Sequence, residues 1–118
     1  MITLKDQQLL QTKAFVNGMW VDNHNLATFD VFNPATGALL TTVSNCDNID
    51  TQKAILAASN AMGAWQKKTA KERATVLKKW YELIIQNQDD LALLMTLEQG
   101  KPLTEAIGEV VYGASFLA

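Results

Sequence analysis

Apolar and polar positions change rhythm once along the chain, near residue 47. Before it the apolar runs are short and separated by turn residues. Ala14-Phe15-Val16 and Met19-Trp20-Val21 flank Asn17-Gly18. Asn-Gly between two β-prone triplets predicts a hairpin, because a type I′ turn needs positive φ at both central residues. Thr28-Phe29-Asp30-Val31-Phe32 predicts another strand, which stops at Asn33-Pro34; Pro34-Ala35-Thr36-Gly37 has turn chemistry. Leu39-Leu40-Thr41-Thr42-Val43 predicts its partner. Residues 1–13 carry a weaker pattern, in which Leu4, Leu9 and Leu10 suit a short helix or a tail lying on the body.

From Asp47 the period is helical. Asp47 suits an N-cap, and Asp50 falls three positions later, at the positive end of the helix dipole. Ile55, Ala58, Met62 and Trp65 then share one face. Thr69-Ala70-Lys71-Glu72 fits a capping box that opens a second helix, with Val76, Leu77, Trp80, Leu83 and Ile84 on one stripe. Asn87 to Asp90 interrupts that stripe. A third helix, Leu91 to Gln99, is apolar on most sides, as a buried helix would be. Gly100 suits the residue after its C-terminus and Pro102 the first turn of a fourth helix. There Leu103, Ala106, Ile107, Val110, Val111 and Ala114 recur at helical spacing. The pattern predicts an α/β chain: short antiparallel strands at the N-terminus, then three to four helices. The last helix runs out on Phe116-Leu117-Ala118 with no capping glycine or basic turn, which reads as a pattern cut short.

Composition narrows the classes. At 118 residues the chain is one domain or part of one. Ten basic against 12 acidic residues give a net charge of −2, and no basic run exceeds a pair, so neither nucleic acid nor an anionic membrane is an expected partner. No apolar run approaches the roughly 18 residues of a membrane span, and the N-terminus lacks a signal-peptide core; a cytoplasmic location is the expectation. A single cysteine excludes an internal disulfide and a Cys-rich zinc site.

Candidate chemistry is sparse. Gly100-Lys101-Pro102 is not the end of a P-loop, because Ser or Thr must follow the lysine, and the glycines never form G-x-G-x-x-G. Cys46 has Asp47 and Asp50 beside it, which oppose a reactive thiolate; it reads as a loop or packing cysteine. His24 lies in a polar loop without partners nearby in sequence and reads as solvated. Asp89 and Asp90 point about 100° apart on a helix, so they read as helix-start acids and not as a proton-sharing pair. Trp20, Trp65 and Trp80 read as packing residues. Glu98 ends an apolar helix just before Gly100, where a carboxylate needs donors, a cation or an outward path.

Five landmarks in order carry a resemblance. Phe15-Val16-Asn17-Gly18-Met19-Trp20, then Val31-Phe32-Asn33-Pro34-Ala35-Thr36-Gly37, the Ala-rich helix ending at Trp65, Glu72-Arg73-Ala74, and Leu97-Glu98-Gln99-Gly100-Lys101-Pro102-Leu103 with Glu105-Ala106 resemble the N-terminal region of aldehyde dehydrogenases. Met95 to Leu103, followed by Gly108-Glu109 and Tyr112 to Phe116, is most similar to bacterial succinate-semialdehyde dehydrogenases. The match covers about residues 14–118, leaving 1–13 as an N-terminal tail.

The resemblance implies a longer enzyme, with 14–118 as the incomplete N-terminal part of a Rossmann-type cofactor-binding domain, and assembly into homo-dimers or tetramers. It implies oxidation of succinate semialdehyde or a similar aldehyde with NAD or NADP: a cysteine thiolate adds to the carbonyl, hydride leaves to the nicotinamide, and water activated by a glutamate hydrolyses the thioester. None of the catalytic or cofactor-binding residues falls in this stretch, and Cys46 does not match the nucleophile. The chain alone is expected to be inactive and to bind no cofactor. Main-chain carbonyls matching Val31 and Phe32, with the acid matching Glu98, are implied to hold a structural monovalent cation. Gly113 and Phe116 are implied to border the substrate tunnel. The alternative is a stand-alone non-catalytic module of that fold that associates with a full-length relative.

Overall fold

The computed structural model describes residues 2–118; Met1, part of the expected tail, lies outside the described residues. Four strands come first: β1 (Ala14–Val16), β2 (Met19–Val21), β3 (Thr28–Phe32) and β4 (Leu39–Ser44). They form two separate antiparallel pairs, β1 with β2 and β3 with β4. In the first hairpin Asn17 and Gly18 have φ of 53° and 78°, the conformation a type I′ turn requires, and Phe15 faces Trp20 across it with ring centroids 5.0 Å apart. The β3–β4 register shifts after Val31, so that Phe32 pairs with Leu39. The turn is closed by Asn33, whose side chain accepts from the Ala35 N–H while Gly37 donates to the Asn33 carbonyl, Gly37 having φ of 74°.

Four helices follow: α1 (Asn48–Lys67), α2 (Ala70–Gln86), α3 (Gln88–Gln99) and α4 (Leu103–Ser115). Asp47 and Asp50 form a reciprocal capping box at the start of α1, as do Thr69 and Glu72 at α2. Two boundaries differ from the sequence pattern. Helix α3 begins at Gln88 and not Leu91, because the polar stretch that broke the stripe is its first turn, with Asp89 and Asp90 there. Pro102 is the residue before α4 and not its first helical residue.

Small residues make the core. Ala92 of α3 and Ala106 and Val110 of α4 are its buried centre, with Ile84, Leu91, Met95 and Ile107 packed around them. Alanines let the two helix backbones approach closely. The other stripes face outward. Ile55 and Met62 of α1, and Val76, Trp80 and Leu83 of α2, are exposed, and α3 is half-buried except for Asp90 and Ala92. The expectation of a buried third helix is corrected here: within these residues one side of it has cover and the other has none.

The N-terminal segment lies across this body. Ile2 and Leu4 are buried, each worth about 1.5–3 kcal/mol of apolar transfer. The only helical feature there is a 3-10 turn, Gln7–Leu9, so Leu4 serves as an anchor and not as a helix residue. Asp90 holds the segment from below: its two oxygens accept the N–H groups of Lys5 at 2.9 Å and Asp6 at 2.8 Å. The Asp6 and Lys5 N–H groups hold the Asp90 carboxyl below its ordinary 3.8 against the opposing effect of burial, with the Lys5 charge adding to them. A carboxyl lowered in the folded state stabilises above its unfolded value and stops doing so as pH falls through the folded one. The segment is therefore held above about pH 4 and released in stronger acid. Asp90→Ala is expected to speed hydrogen exchange at the Lys5 and Asp6 amides by about tenfold or more at neutral pH. Unchanged exchange would show that Ile2 and Leu4 suffice.

Candidate functional site

The α2, α3 and α4 helices enclose one side of an apolar groove of about 620 Å³, walled by Ile84, Leu91, Met95, Val110 and Ala114. Two of the expected site residues line it, Glu98 in the last turn of α3 and Gly113 in the last turn of α4. A Cβ on Gly113 would meet nothing within 4 Å, so its missing side chain leaves the groove wide. Phe116, just past α4, is exposed and packs edge-on against Tyr112, ring centroids 5.1 Å apart.

Val31 and Phe32 end strand β3, the first half-buried and the second exposed. Their neighbourhood is tied to the end of α3 by one close approach: a Cβ built on Gly100 would lie 3.1 Å from Pro34 Cγ. That contact brings the β3–β4 turn to within two residues of Glu98. The Glu98 carboxylate is exposed and makes no hydrogen bond or ion pair among the described residues. Glu109, by contrast, on the same groove, is paired with Lys101.

A second constellation escaped the sequence pattern. His24 is not without partners: its Nδ1 is 3.3 Å from Asp47 Oδ1 and 3.3 Å from Asp50 Oδ2, and its main-chain N–H donates to Asp50 Oδ1 at 2.9 Å. Partial burial pushes the Asp50 carboxyl up, but the His24 and Asp47 main-chain N–H groups and the His24 ring outweigh it and hold the carboxyl below 3.8. The two acids were legible as helix caps; the loop that brings His24 to them was not. Cys46, two residues before α1, is exposed and free. No helix among the described residues is long and apolar enough to cross a membrane.

The family model described as the aldehyde dehydrogenase family matches residues 20–118. This chain belongs to the aldehyde dehydrogenase family. The glutarate-semialdehyde dehydrogenase of Pseudomonas putida is 54% identical over 114 residues, covering 97% of this chain and 24% of that protein. The NADP(+) succinate-semialdehyde dehydrogenase GabD of Escherichia coli is 51% identical over 114 residues, with the same coverages of 97% and 24%. Among solved structures, succinate-semialdehyde dehydrogenase from Burkholderia pseudomallei superposes with a TM-score of 0.94 at 51% identity, over 97% of this chain and 24% of that one. The chain thus spans about a quarter of the length of the relatives it matches. Its four helices and two antiparallel strand pairs are the N-terminal part of the aldehyde dehydrogenase fold.

Proposed function

We propose that this chain is the N-terminal part of an NAD(P)-dependent dehydrogenase that oxidises succinate semialdehyde, or a similar aldehyde, to the acid. The observation that carries the reading is the identity of 51–54% to two enzymes named for dicarboxylic semialdehydes. Such substrates bear an aldehyde at one end and a carboxylate at the other. The name of the E. coli relative carries NADP(+), which supports a nicotinamide cofactor as the hydride acceptor. The whole protein is a cytoplasmic homo-dimer or tetramer in this reading, with neither nucleic acid nor membrane as a partner.

The work of this chain is structural. Residues 14–118 belong to the cofactor-binding domain and residues 1–13 form its tail. The outward apolar stripes of α1 and α2 support that assignment, since such faces call for an apolar cover. Gly113 and Phe116 border the passage for substrate, a role supported by the groove that Gly113 widens. The Val31 and Phe32 carbonyls and the Glu98 carboxylate are hard oxygen donors suited to a monovalent cation, and the free Glu98 carboxylate beside the Pro34–Gly100 contact fits that use. No residue here performs the chemical step, so the 118 residues alone are inactive.

A chimera tests the reading. This chain replaces the equivalent first quarter of the E. coli enzyme, and NADP+ reduction with succinate semialdehyde is followed. Activity within about tenfold of the parent is expected, and none from the 118-residue chain alone. A folded but inactive chimera would sink the reading. Stoichiometric capture of a full-length relative by the short chain would then favour the non-catalytic module.

A further inference from the structure

The His24, Asp47 and Asp50 side chains converge where the loop of residues 22–27 lies on the start of α1, and this cluster is separate from the reaction proposed above. A metal cation does not suit it. Asp47 Oδ1 already accepts the Ile49 and Asp50 N–H groups, and both Asp50 oxygens accept main-chain N–H groups, from His24 and Asp47. The helix start also presents its positive end to the site. The charge that fits these contacts is a proton on the imidazole, which leaves every cap in place.

We propose that His24 is a proton-controlled tether, fastening the 22–27 loop to α1 while its ring is charged and loosening it as the ring loses its proton. A charged ring, 3.3 Å from a carboxylate on each of Asp47 and Asp50, offsets the repulsion between the two acids; a neutral ring does not. The other charges facing the ring are few. Lys53, one turn further along α1, lines the same pocket as His24 and Asp50, and Asp22 is paired with Lys13 at 3.3 Å. The ring therefore meets two acids on α1 against one unpaired base.

The loop has a reason to move when released. Leu26 sits at φ 57°, a left-handed conformation that costs a non-glycine residue, with its side chain exposed and unsupported. Its inner end is fixed independently by the buried Asn23, whose Nδ2 donates to Asn25 Oδ1, the Ala27 carbonyl and the Asn45 carbonyl. Deprotonation thus frees the His24 side of the loop alone. That side forms one wall of a pocket of about 300 Å³ between the first hairpin and α1, so ring charge controls access to it.

Hydrogen exchange in the full-length protein, as its source produces it, tests the tether. Peptides spanning residues 22–28 are followed from about pH 5.5 to 8.5, corrected for the intrinsic pH dependence of exchange. Protection is expected to fall about three- to tenfold as pH rises, and the fall to shrink in about 1 M salt. His24→Asn, which keeps the main-chain N–H and a side-chain donor, is expected to show no pH dependence. Flat protection in the unaltered protein overturns the proposal, as does an equal fall in His24→Asn. Should that variant not fold, peptides from β3 and β4 in the unaltered protein decide: an equal fall there means general loosening and sinks the tether.

Discussion

The 118-residue chain by itself is expected to melt broadly, bind a hydrophobic dye when cold, and aggregate as its concentration rises. A compact monomer of its 13.0 kDa exposes about 6,300 Å², whereas this chain exposes 8459 Å². A compact chain of its length has a radius of gyration of about 13.5 Å; here it is 16.6 Å. Its core cannot offset that exposure. Of six buried apolar residues three are alanines, while Trp20, Met62, Trp80 and Phe116 are among the large side chains left in solvent. Secondary structure with fluctuating packing is the state such a balance favours. Calorimetry and dye binding check it. A single sharp transition of a dilute monomer, with an enthalpy near 80 kcal/mol, would refute it, since that is about what a fully packed chain of this length absorbs.

Which elements form was legible because local chemistry decides it. Asn17-Gly18 demands a tight hairpin, Asp47 with Asp50 and Thr69 with Glu72 close helix starts, and Gly100 with φ of 80° ends α3. None of these depends on anything far away in the chain. Which face of each helix is covered was not legible, because periodicity marks an apolar stripe without naming what lies on it. Ile55, Met62, Val76 and Trp80 have the spacing of core residues and the exposure of surface ones.

The site divides the same way. Asp90 reads locally as a helix-start acid, and it is one, but its two oxygens are taken by N–H groups 84 and 85 residues away. His24 reads as solvated because its partners lie on the far side of two strands. In both cases a polar side chain was assigned to water when the fold supplied a partner, and only the tertiary path of the backbone could have shown it. The groove shared by Glu98 and Gly113 was half legible: the helical pattern put each at the end of its helix, and the pairing of α3 with α4 brought the two ends together.

Gly100→Val is expected to destabilise the chimera with the E. coli enzyme by about 2–4 kcal/mol, from two additive sources. The first is conformational. Gly100 ends α3 in the left-handed region, its N–H bonded to the Thr96 carbonyl at 2.9 Å, and a β-branched residue resists that φ. The second is steric. The new Cβ would sit 3.1 Å from Pro34 Cγ, so the β3–β4 turn would have to withdraw from the α3–α4 junction. Gly63→Ala is the control: it lies inside α1 with nothing within 4 Å of its Cβ, and is expected to be neutral or stabilising by up to about 1 kcal/mol. Denaturant midpoints measure both. Pairing Gly100→Val with Pro34→Ala separates the sources, since trimming the proline relieves the clash and leaves the backbone strain. Partial recovery in the double variant is expected. A loss under about 0.5 kcal/mol for Gly100→Val alone would mean that the turn and the helix end do not bear on each other.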